Sequence, residues 1–488
     1  MITRWICEKD NKKWIYPVKK CIHCKGPIKK QTSRTAKVIG ITKVNVPSPM
    51  HPIIPYNVIL LEDEYGNRMP KKTMKDYKIG SIYSIEAAKT NSAVIITKIK
   101  YDLKEALKES LSLLNSFDIS KEDKVLIKPC IIEPAYPYQA VNTNPEVLDG
   151  IIKLLKDKGV SDIVLGEQAM AGNDVNAAAK KSGILVICKN NEIPLVDIGK
   201  SEYIEKTENG MKFNVAKEIM ERKIINVPVM KTNSQIGISG AIENMLRVVD
   251  QKTQMEMFAG DIEKTLPKLI KVLPKFITIG DATIGMQGQG PTLLGEPAFM
   301  NMLFISKDPV ALDSVFCEAG MFSKPKYVNE ASSIGAGNGN VKELEIVGDE
   351  LEPIKYHLKV PDKEATAHPR IKLIDGKSDP ITFNTILKTS SKLVGLSGYE
   401  VNIAIGKFLT EDMVKGKERL IAYGSDAINR LRELNVEPIA EIQEDIDNIE
   451  KLMLVKGILE NPDKKSINVK DKVKSKLTSI GAKIKNAF

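Results

Sequence analysis

Hydrophobic and polar positions change their pattern along the chain. Between residues 38 and 85 apolar and polar residues alternate in short runs separated by turn residues, which is typical of strands that bury one face. Beyond residue 90, short runs of β-branched residues alternate with segments whose apolar residues recur at helical spacing. We therefore predict a multidomain protein in which a small β barrel or sandwich precedes an α/β domain with a mostly parallel sheet.

The limits of these patterns divide the chain, which at 488 residues is longer than one hydrophobic core usually supports. The region after residue 351 is poorly periodic until a strand-helix-strand pattern begins at residue 419. The last segment has the spacing of a cationic amphipathic helix. The predicted segments are a cysteine-containing ribbon 1–35, a small β barrel 36–90, the α/β domain 91–350, an irregular or β-rich segment 351–418, a β-α-β unit 419–460 and a basic helical tail 461–488.

Three cysteines and one aspartate are spaced like the ligands of a zinc ribbon. Cys7 and Asp10 form one short pair, and Cys21 and Cys24 form a second. In a zinc ribbon each such turn offers two thiolates to one tetrahedral ion. Asp10 stands where a fourth cysteine would fall. The alternatives are therefore a Cys3Asp site, a site that uses the adjacent His23, and a small aromatic-packed hairpin without metal.

A ribbon followed by a small barrel resembles the zinc-ribbon OB-fold proteins of the DUF35 family. The resemblance rests on the cysteine pairs, on Pro55 and Tyr56 before the apolar strand 57–61, and on Ile79 and Gly80 before the last strand. It implies an OB-like barrel that binds a CoA thioester or docks a thiolase-like, acyl-transferring partner.

Charged residues follow several strands of the predicted α/β domain. They are Lys128, Glu167, Lys231, Asp281 and Asp308. The carboxyl ends of parallel strands meet at one edge of a sheet, where α/β proteins bind their ligands, so we expect these side chains to gather there. Such groups can transfer protons or hold an anionic substrate by charge. The plainer alternative is that they only cap the ends of the strands.

The motifs around these residues are similar to those of the DUF362 family, over residues 93–350. The matching positions are Lys128-Pro129, 143–146, Gly166-Glu167, 226–232, 240–244, 288–291 and 308–313. With Lys128, Cys130, Glu167, Lys231 and Asp281 taken as catalytic, the ligand-binding candidates in or beside these motifs are Asn144, Thr232, Asn233, Asn244, Gly288, Gly290, Asp308 and Asp313.

The chain departs from the family's pattern at three positions. Cys130 stands where asparagine is usual, Asn233 where histidine is usual, and Glu243 where lysine is usual. The family is often linked to iron–sulfur ferredoxin modules. This chain has no Cys-x2-Cys-x2-Cys-x3-Cys run, so we predict no built-in ferredoxin-type cluster.

Cys130 is the candidate nucleophile. It lies two positions after Lys128, and a thiol beside a lysine can be more reactive because the thiolate is the nucleophile. The alternative is a small buried hydrophobic residue, which is how we interpret Cys188 and Cys317.

Composition limits the function classes. Aromatic residues make up only 5% of the chain, which argues against a stacking platform for single-stranded nucleic acid. Of the net charge of +10, most comes from eight lysines opposed by one aspartate in residues 464–488, so this tail can contact an anionic membrane surface. No long uncharged apolar run and no leader pattern is present, so we predict a cytoplasmic protein.

Two functions fit these features best. The first is an enzyme that acts on an acyl thioester or related anionic metabolite, with catalysis in the α/β domain and CoA binding or partner docking in the β barrel; iron–sulfur-linked redox chemistry is a variant of it. The second is a scaffold that binds CoA or recruits enzymes without catalysis. Nucleic-acid binding is a third and less favoured possibility, supported only by the barrel and the basic tail.

Overall fold

The structure is a computed structural model that describes residues 1–48, 53–170, 173–362, 364–365, 370–391 and 400–443. The chain divides into two compact units, Met1–Pro361 and Asp362–Phe488. The predicted basic tail, and with it the proposed membrane contact, lies outside the described residues. Among the described helices, none combines the length and the apolar character needed to cross a membrane.

Two antiparallel sheets form the N-terminal part of the first unit. The first has the order β2-β1-β3 and pairs Trp5 with Trp14 across its strands. The second has the open order β6-β5-β4-β7, a half-barrel, and buried residues alternate along β5, as the sequence pattern predicts. The strands are β1 Ile2–Cys7, β2 Lys13–Trp14, β3 Ile28–Ser33, β4 Thr35–Val44, β5 Tyr56–Glu62, β6 Arg68–Thr73 and β7 Ile82–Ser84.

An eleven-stranded sheet with helices packed against it forms the rest of this unit, and its main path runs β11-β10-β9-β14-β17-β19-β8-β20. All five residues of β9 and of β10 are buried, which explains why they read as continuous apolar runs. The predicted mostly parallel sheet is confirmed. Its first elements are β8 Val94–Lys98, α1 Leu103–Leu111, β9 Val125–Pro129, α2 Pro145–Asp157, β10 Ile163–Glu167, α3 Val175–Lys181, α4 Ile184–Asn190 and β11 Leu195–Asp197.

The second half of this region contains a separate hairpin, β12 with β13, and the strands that complete the large sheet. One strand reverses direction: β19 is antiparallel to both β17 and β8. The elements are β12 Tyr203–Glu208, β13 Met211–Ala216, α5 Lys217–Glu221, β14 Lys223–Val227, β15 Val229–Asn233, β16 Gly237–Ser239, α6 Gln251–Ala259, α7 Ile262–Val272, β17 Phe276–Gly288, β18 Gly295–Ala298, β19 Met302–Ser306, α8 Pro309–Ala319, α9 Lys326–Ser333 and β20 Ile346–Gly348.

Buried polar contacts join the half-barrel to the large sheet. Lys71 Nζ lies 3.0 Å from Asp349 Oδ1, and the lysine side chain is 9% exposed. Asp349 also accepts a hydrogen bond from the backbone N–H of Lys98. Thr73 Oγ1 donates to Glu350 Oε1 at 2.6 Å. An ion pair and a hydrogen bond therefore join the half-barrel to the α/β domain, and loss of either side would leave a charged or polar group without its partner.

The second unit is a four-stranded parallel sheet in chain order. We predicted an irregular or β-rich segment over 351–418 and a β-α-β unit from residue 419. The structure has two strands of the same parallel sheet, and a helix between them, in the first of these ranges. Its elements are β21 Ile371–Asp375, α10 Pro380–Ser391, β22 Val401–Ile405, α11 Glu411–Val414, β23 Leu420–Tyr423, α12 Ser425–Glu433 and β24 Ala440–Ile442.

Candidate functional site

A buried ion pair lies at the carboxyl edge of β9 and β10. These strands are parallel neighbours, so the ends that carry Lys128 and Glu167 lie side by side. Lys128 Nζ is 2.7 Å from Glu167 Oε2, and both side chains are 0% exposed. Glu167 also accepts from the backbone N–H groups of Ile131 at 3.1 Å and Gln168 at 2.8 Å. Burial raises the pKa of Glu167 above its ordinary value, and the Lys128 ammonium opposes that rise.

A second buried cation lies beside this pair. Lys231 Nζ donates to Cys130 Sγ at 3.5 Å, to the carbonyl oxygen of Pro291 at 3.3 Å, and to that of Val141. Lys231 is 0% exposed and Cys130 is 3% exposed. Because its other two acceptors are neutral carbonyls, the thiol is the one group among these three that can become the anionic partner of the ammonium.

The loop that carries Cys130 is fixed by side-chain hydrogen bonds. The backbone N–H of Cys130 donates to Thr143 Oγ1 at 2.8 Å, and that hydroxyl donates to the carbonyl of Val227 at the end of β14. The N–H of Ile132 donates to Asn142 Oδ1 at 2.8 Å. The polar residues before α2 therefore position the thiol as well as starting a helix.

Asp281 and Asn144 hold the start of α2 against β17. Asp281 accepts from the backbone N–H of Asn144 at 2.8 Å and from the hydroxyl of Thr283 at 2.6 Å. Asn144 caps α2 by accepting from the N–H of Glu146. Burial raises the pKa of Asp281, and the hydrogen bonds oppose that rise. Through its described hydrogen bonds Asp281 therefore joins the start of α2 to β17, near Lys231 and Cys130.

The predicted residues of the glycine loop bind one another. Thr232 Oγ1 donates to the carbonyl of Gly288 at 2.8 Å. Asn233 Oδ1 accepts from the N–H groups of the next turn, and its amide donates to Ser239. A Cβ atom on Gly290 would lie 2.1 Å from the carbonyl oxygen of Thr232, so this close approach requires glycine. The glycine loop therefore packs closely against β15, and Thr232 and Asn233 use their side chains in hydrogen bonds within the protein.

An amide and an arginine bring the turn 240–248 to the ion pair. Asn244 donates to Asn226 Oδ1 at 2.7 Å and to the carbonyl of Pro129 at 3.2 Å. Arg247 is 6% exposed, and its Nη1 has no hydrogen-bond partner among the described residues. Although burial opposes its charge, Glu243 and Glu167 raise the pKa of Arg247 above its usual range. Arg247 was not among the residues predicted from the sequence; its one signal was a charged residue inside the apolar run 245–249.

Asp308 lies at the opposite edge of the sheet, so the prediction that it joins the other four charged residues is wrong. The reason is the direction of β19: its last residue, Ser306, lies opposite Thr278 near the start of β17. Asp308 caps α8 there by accepting from the N–H groups of Val310 and Ala311. A short apolar run has the same composition in either direction, so the sequence did not reveal the reversal.

Asp313 is buried against the turn that starts at Gly240. Its two oxygens accept from the N–H groups of Ala241 at 2.6 Å and Ile242 at 3.0 Å. Burial raises the pKa of Asp313 to about 7, although these two hydrogen bonds oppose the rise. Asp313 therefore stabilises the turn that carries Asn244 and Arg247. None of its described hydrogen bonds reaches Lys128 or Glu167.

This raised pKa predicts a pH dependence of stability. A carboxyl group whose pKa is higher in the folded than in the unfolded chain binds a proton on folding, so its contribution is lost as pH rises towards 7. We expect a slope of about 1.4 kcal/mol per pH unit from Asp313 between its two pKa values. The free energy of unfolding should be measured for wild type and Asp313→Asn at pH 5.5 and at pH 7.5. Relative to the variant, wild type should be more stable at pH 5.5 than at pH 7.5. An equal difference at both values would contradict this.

The four predicted metal ligands also lie close together, at the N-terminal sheet of the first unit. Ligand atoms of Cys7, Asp10, Cys21 and Cys24 all lie within 4.8 Å of one another. Cys7 Sγ is 3.3 Å from Cys24 Sγ, and Cys21 Sγ is 3.3 Å from Asp10 Oδ2. Donors about 2.0–2.3 Å from a tetrahedral zinc ion have spacings of this order, so the set fits a metal ion.

Of the four ligand residues, Asp10 is the one that the pKa shifts favour as an anion. Its hydrogen bond from Cys7 holds the pKa of Asp10 at about 2, so the carboxylate is charged at neutral pH. Burial raises the pKa of Cys7 to about 11 when no cation is present. Cys7, Cys21 and the two tryptophans of the ribbon form one small packed cluster.

Residues 125–318 match the sequence model of a family described as "Domain of unknown function (DUF362)". The matched segment lies within the α/β domain. This segment contains the Lys128 and Glu167 pair, Cys130, Lys231, Asp281, Arg247 and Asp313.

Two further likenesses involve parts of the chain. A thylakoid-associated protein of Synechocystis sp. (strain ATCC 27184 / PCC 6803 / Kazusa) is 25% identical over 219 residues, which cover 43% of this chain and 67% of that protein. A solved structure titled "Ltp2-ChsH2(DUF35) aldolase" is 18% identical, with a TM-score of 0.15, over 18% of this chain and 73% of that one.

Proposed function

We propose that the protein is an acyl-thioester enzyme in which Cys130 carries the acyl group. The observation that supports this most is the buried contact between Lys231 Nζ and Cys130 Sγ at 3.5 Å. A buried ammonium stabilises an anionic sulfur, which is the nucleophilic form. The ordinary DUF362 asparagine at this position has no such chemistry, so the cysteine marks a specialised member.

The proposed step is an exchange of thioesters. The Cys130 thiolate attacks the carbonyl carbon of an acyl-CoA, the bond from that carbon to the CoA sulfur breaks, and CoA leaves as a thiolate that takes a proton from solvent. The products are acyl-Cys130 and free CoA, with no change in oxidation state. Lys231, whose Nζ contacts Cys130 Sγ, stabilises the attacking thiolate.

The burial of Cys130 sets a condition on this step. Its thiol is surrounded by an apolar cluster that includes Ile132, Val141 and Met170. The loop that covers it carries two exposed, stacked rings, Tyr136 and Tyr138. The acyl group therefore reaches Cys130 when this loop moves, and an apolar acyl chain finds an apolar surround.

Intact-protein mass spectrometry after incubation with acyl-CoAs of increasing chain length tests the proposal. We expect wild type to gain the mass of one acyl group, Cys130→Ser to gain none, and Lys231→Met to acylate at least about 10-fold more slowly, the loss of one charge-assisted hydrogen bond. Cys188→Ser is the matched control, because Cys188 is as buried but lies in a helix without a lysine contact in the described hydrogen bonds. Acylation of the Cys130→Ser protein at the wild-type rate would sink the proposal.

We further propose that the Cys3Asp cluster binds zinc and that the half-barrel holds CoA or docks an acyl-transferring partner in the cytoplasm. The ligand spacing supports the first point, and the DUF35 resemblance of the N-terminal sequence motivates the second. If wild type is not acylated, but wild type and the variants all bind CoA or a partner, the protein is a non-catalytic scaffold.

A further inference from the structure

A cavity opens at the amino edge of the large sheet, away from Cys130. Its volume is about 610 Å³, and it lies between the start of β14, the end of α7 and the start of α8. Asp308, which the sequence marked as a ligand-binding candidate, is part of its lining. The acyl-transfer proposal does not use this cavity.

The lining of this cavity is rich in lysine. Two of these lysines already have acidic partners: Lys307 Nζ is 2.8 Å from Asp118, and Lys271 Nζ is 3.4 Å from Glu208. The hydrogen bond from Lys307 lowers the pKa of Asp118, so that carboxylate stays charged and bound. The lysines of the lining are Lys223, Lys271, Lys275 and Lys307.

Among the described residues, Lys223 and Lys275 form no close ion pair, although the charge of Lys223 helps to lower the pKa values of Asp118 and Asp123. In the part of the chain that the structure describes, neither ammonium has a carboxylate within 4.0 Å. Lys223 begins β14 and Lys275 directly precedes β17, and these strands are parallel neighbours with Ile224 opposite Phe276. The two lysines therefore lie on adjacent strands at one wall of the cavity.

Asp308 does not neutralise these two lysines. Its Oδ1 accepts from the N–H groups of Val310 at 2.9 Å and Ala311 at 3.0 Å. Its Oδ2 accepts from Ser92 Oγ and from the N–H of Asn338, both at 2.8 Å. The carboxylate is thus held at the start of α8 and keeps its charge. With Asp118 it gives the lining two acids against four lysines, so the lining has a net positive charge.

The rest of the lining is partly apolar and partly polar, the polar part including Asn91, Ser92 and Asp118. The apolar part includes Ile224, Leu273, Phe276 and Pro309. Cavities of about 300–1,000 Å³ suit small organic ligands, which bury an apolar part and fix a few polar groups. A lining that combines a net positive charge with apolar side chains therefore suits a ligand with phosphates at one end and an organic group at the other.

We propose that this cavity binds an organic phosphate of nucleotide size. Lys223 and Lys275 hold the phosphates, and the apolar side chains of the lining hold the organic part. β14 has five residues, so about 17 Å of strand separates Lys223 from the edge where Cys130 lies. A ligand here contacts neither Cys130 nor Lys231, and the proposal is independent of acyl transfer.

Calorimetric titration of the full chain with ADP and with inorganic pyrophosphate tests this. We expect ADP to bind more tightly than pyrophosphate, because only ADP has an organic part. Lys223→Met with Lys275→Met should weaken ADP binding at least about 10-fold through the loss of two charge contacts. Lys124→Met with Lys264→Met changes the charge equally outside the lining and should leave it unchanged. Cys130→Ser should bind ADP like wild type, which separates this test from that of acyl transfer.

Acetylation of lysines followed by mass spectrometry gives a second readout that needs no variant. ADP should protect Lys223 and Lys275 from the reagent but not Lys124. Three results would overturn the proposal: no ADP binding by wild type at millimolar concentration, no difference in the double variant, or equal protection by pyrophosphate, which would make this a site for inorganic anions only.

Discussion

Replacing Lys128 with methionine should lower the free energy of unfolding by about 3–5 kcal/mol, because it leaves a buried carboxylate without its cation. Glu167 keeps only the backbone N–H groups of Ile131 and Gln168 as donors. Hydrogen exchange of peptides from β9 and β10 should be used, since it measures the opening of this sheet separately from the rest of a multidomain chain.

The matched control is Lys153→Met. Lys153 also lies 2.8 Å from a carboxylate, that of Asp149, but its side chain is 50% exposed. Exposed pairs contribute at most about 1 kcal/mol. If Lys128→Met were no more destabilising than this control, the pair at the sheet edge would not be a buried ion pair in solution.

The loss in Lys128→Met should also depend on pH. The pKa of Glu167 is already raised by burial, and removing Lys128 removes a group that lowers it. A carboxyl group with a higher pKa in the folded chain takes up a proton on folding, so falling pH favours the folded state. The destabilisation should therefore be smaller at pH 5 than at pH 8.

Replacing Cys21 with serine should remove zinc from the ribbon and unfold it, if the proposed Cys3Asp site holds the ion. Metal binding by such small modules supplies much of their folding free energy. The zinc content measured by mass spectrometry should fall from about one ion per chain to almost none. Trp5 and Trp14 are the only tryptophans in the sequence, and both pack beside Cys21, so their fluorescence reports on the ribbon alone.

Two variants control this experiment. Cys188→Ser removes a thiol of the α/β domain and should keep both the zinc and the tryptophan signal. Asp10→Cys restores the four-cysteine pattern and should bind zinc at least as tightly as wild type. A wild-type protein prepared with zinc that contains none, and whose fluorescence is unchanged by Cys21→Ser, would contradict the zinc assignment.

The features best predicted from the sequence are those that depend on the local pattern of apolar and polar residues. β9 and β10 are buried on both faces, so they read as apolar runs, and the register of parallel strands then brings Lys128 to Glu167. The cysteine spacing likewise predicted a cluster that the structure brings within ligand distance.

What the sequence could not predict depends on contacts between distant segments. The direction of β19 is set by its partners β17 and β8, and it moved Asp308 to the other edge. The charge of Arg247 acts on Glu167 only because the turn 240–248 folds back towards the ends of the strands, where Asp313 accepts hydrogen bonds from its backbone. The parallel strands β21 and β22 are short apolar segments without a helical or alternating pattern long enough to identify them.

The buried contacts between Lys71 and Asp349, and between Thr73 and Glu350, limit how this architecture can be taken apart. A fragment that begins at β8 would expose two carboxylates whose cation and hydroxyl donors were removed with the N-terminal sheets. We therefore expect that exchanging the N-terminal sheets for those of another protein destabilises the large sheet unless partners for Asp349 and Glu350 are supplied.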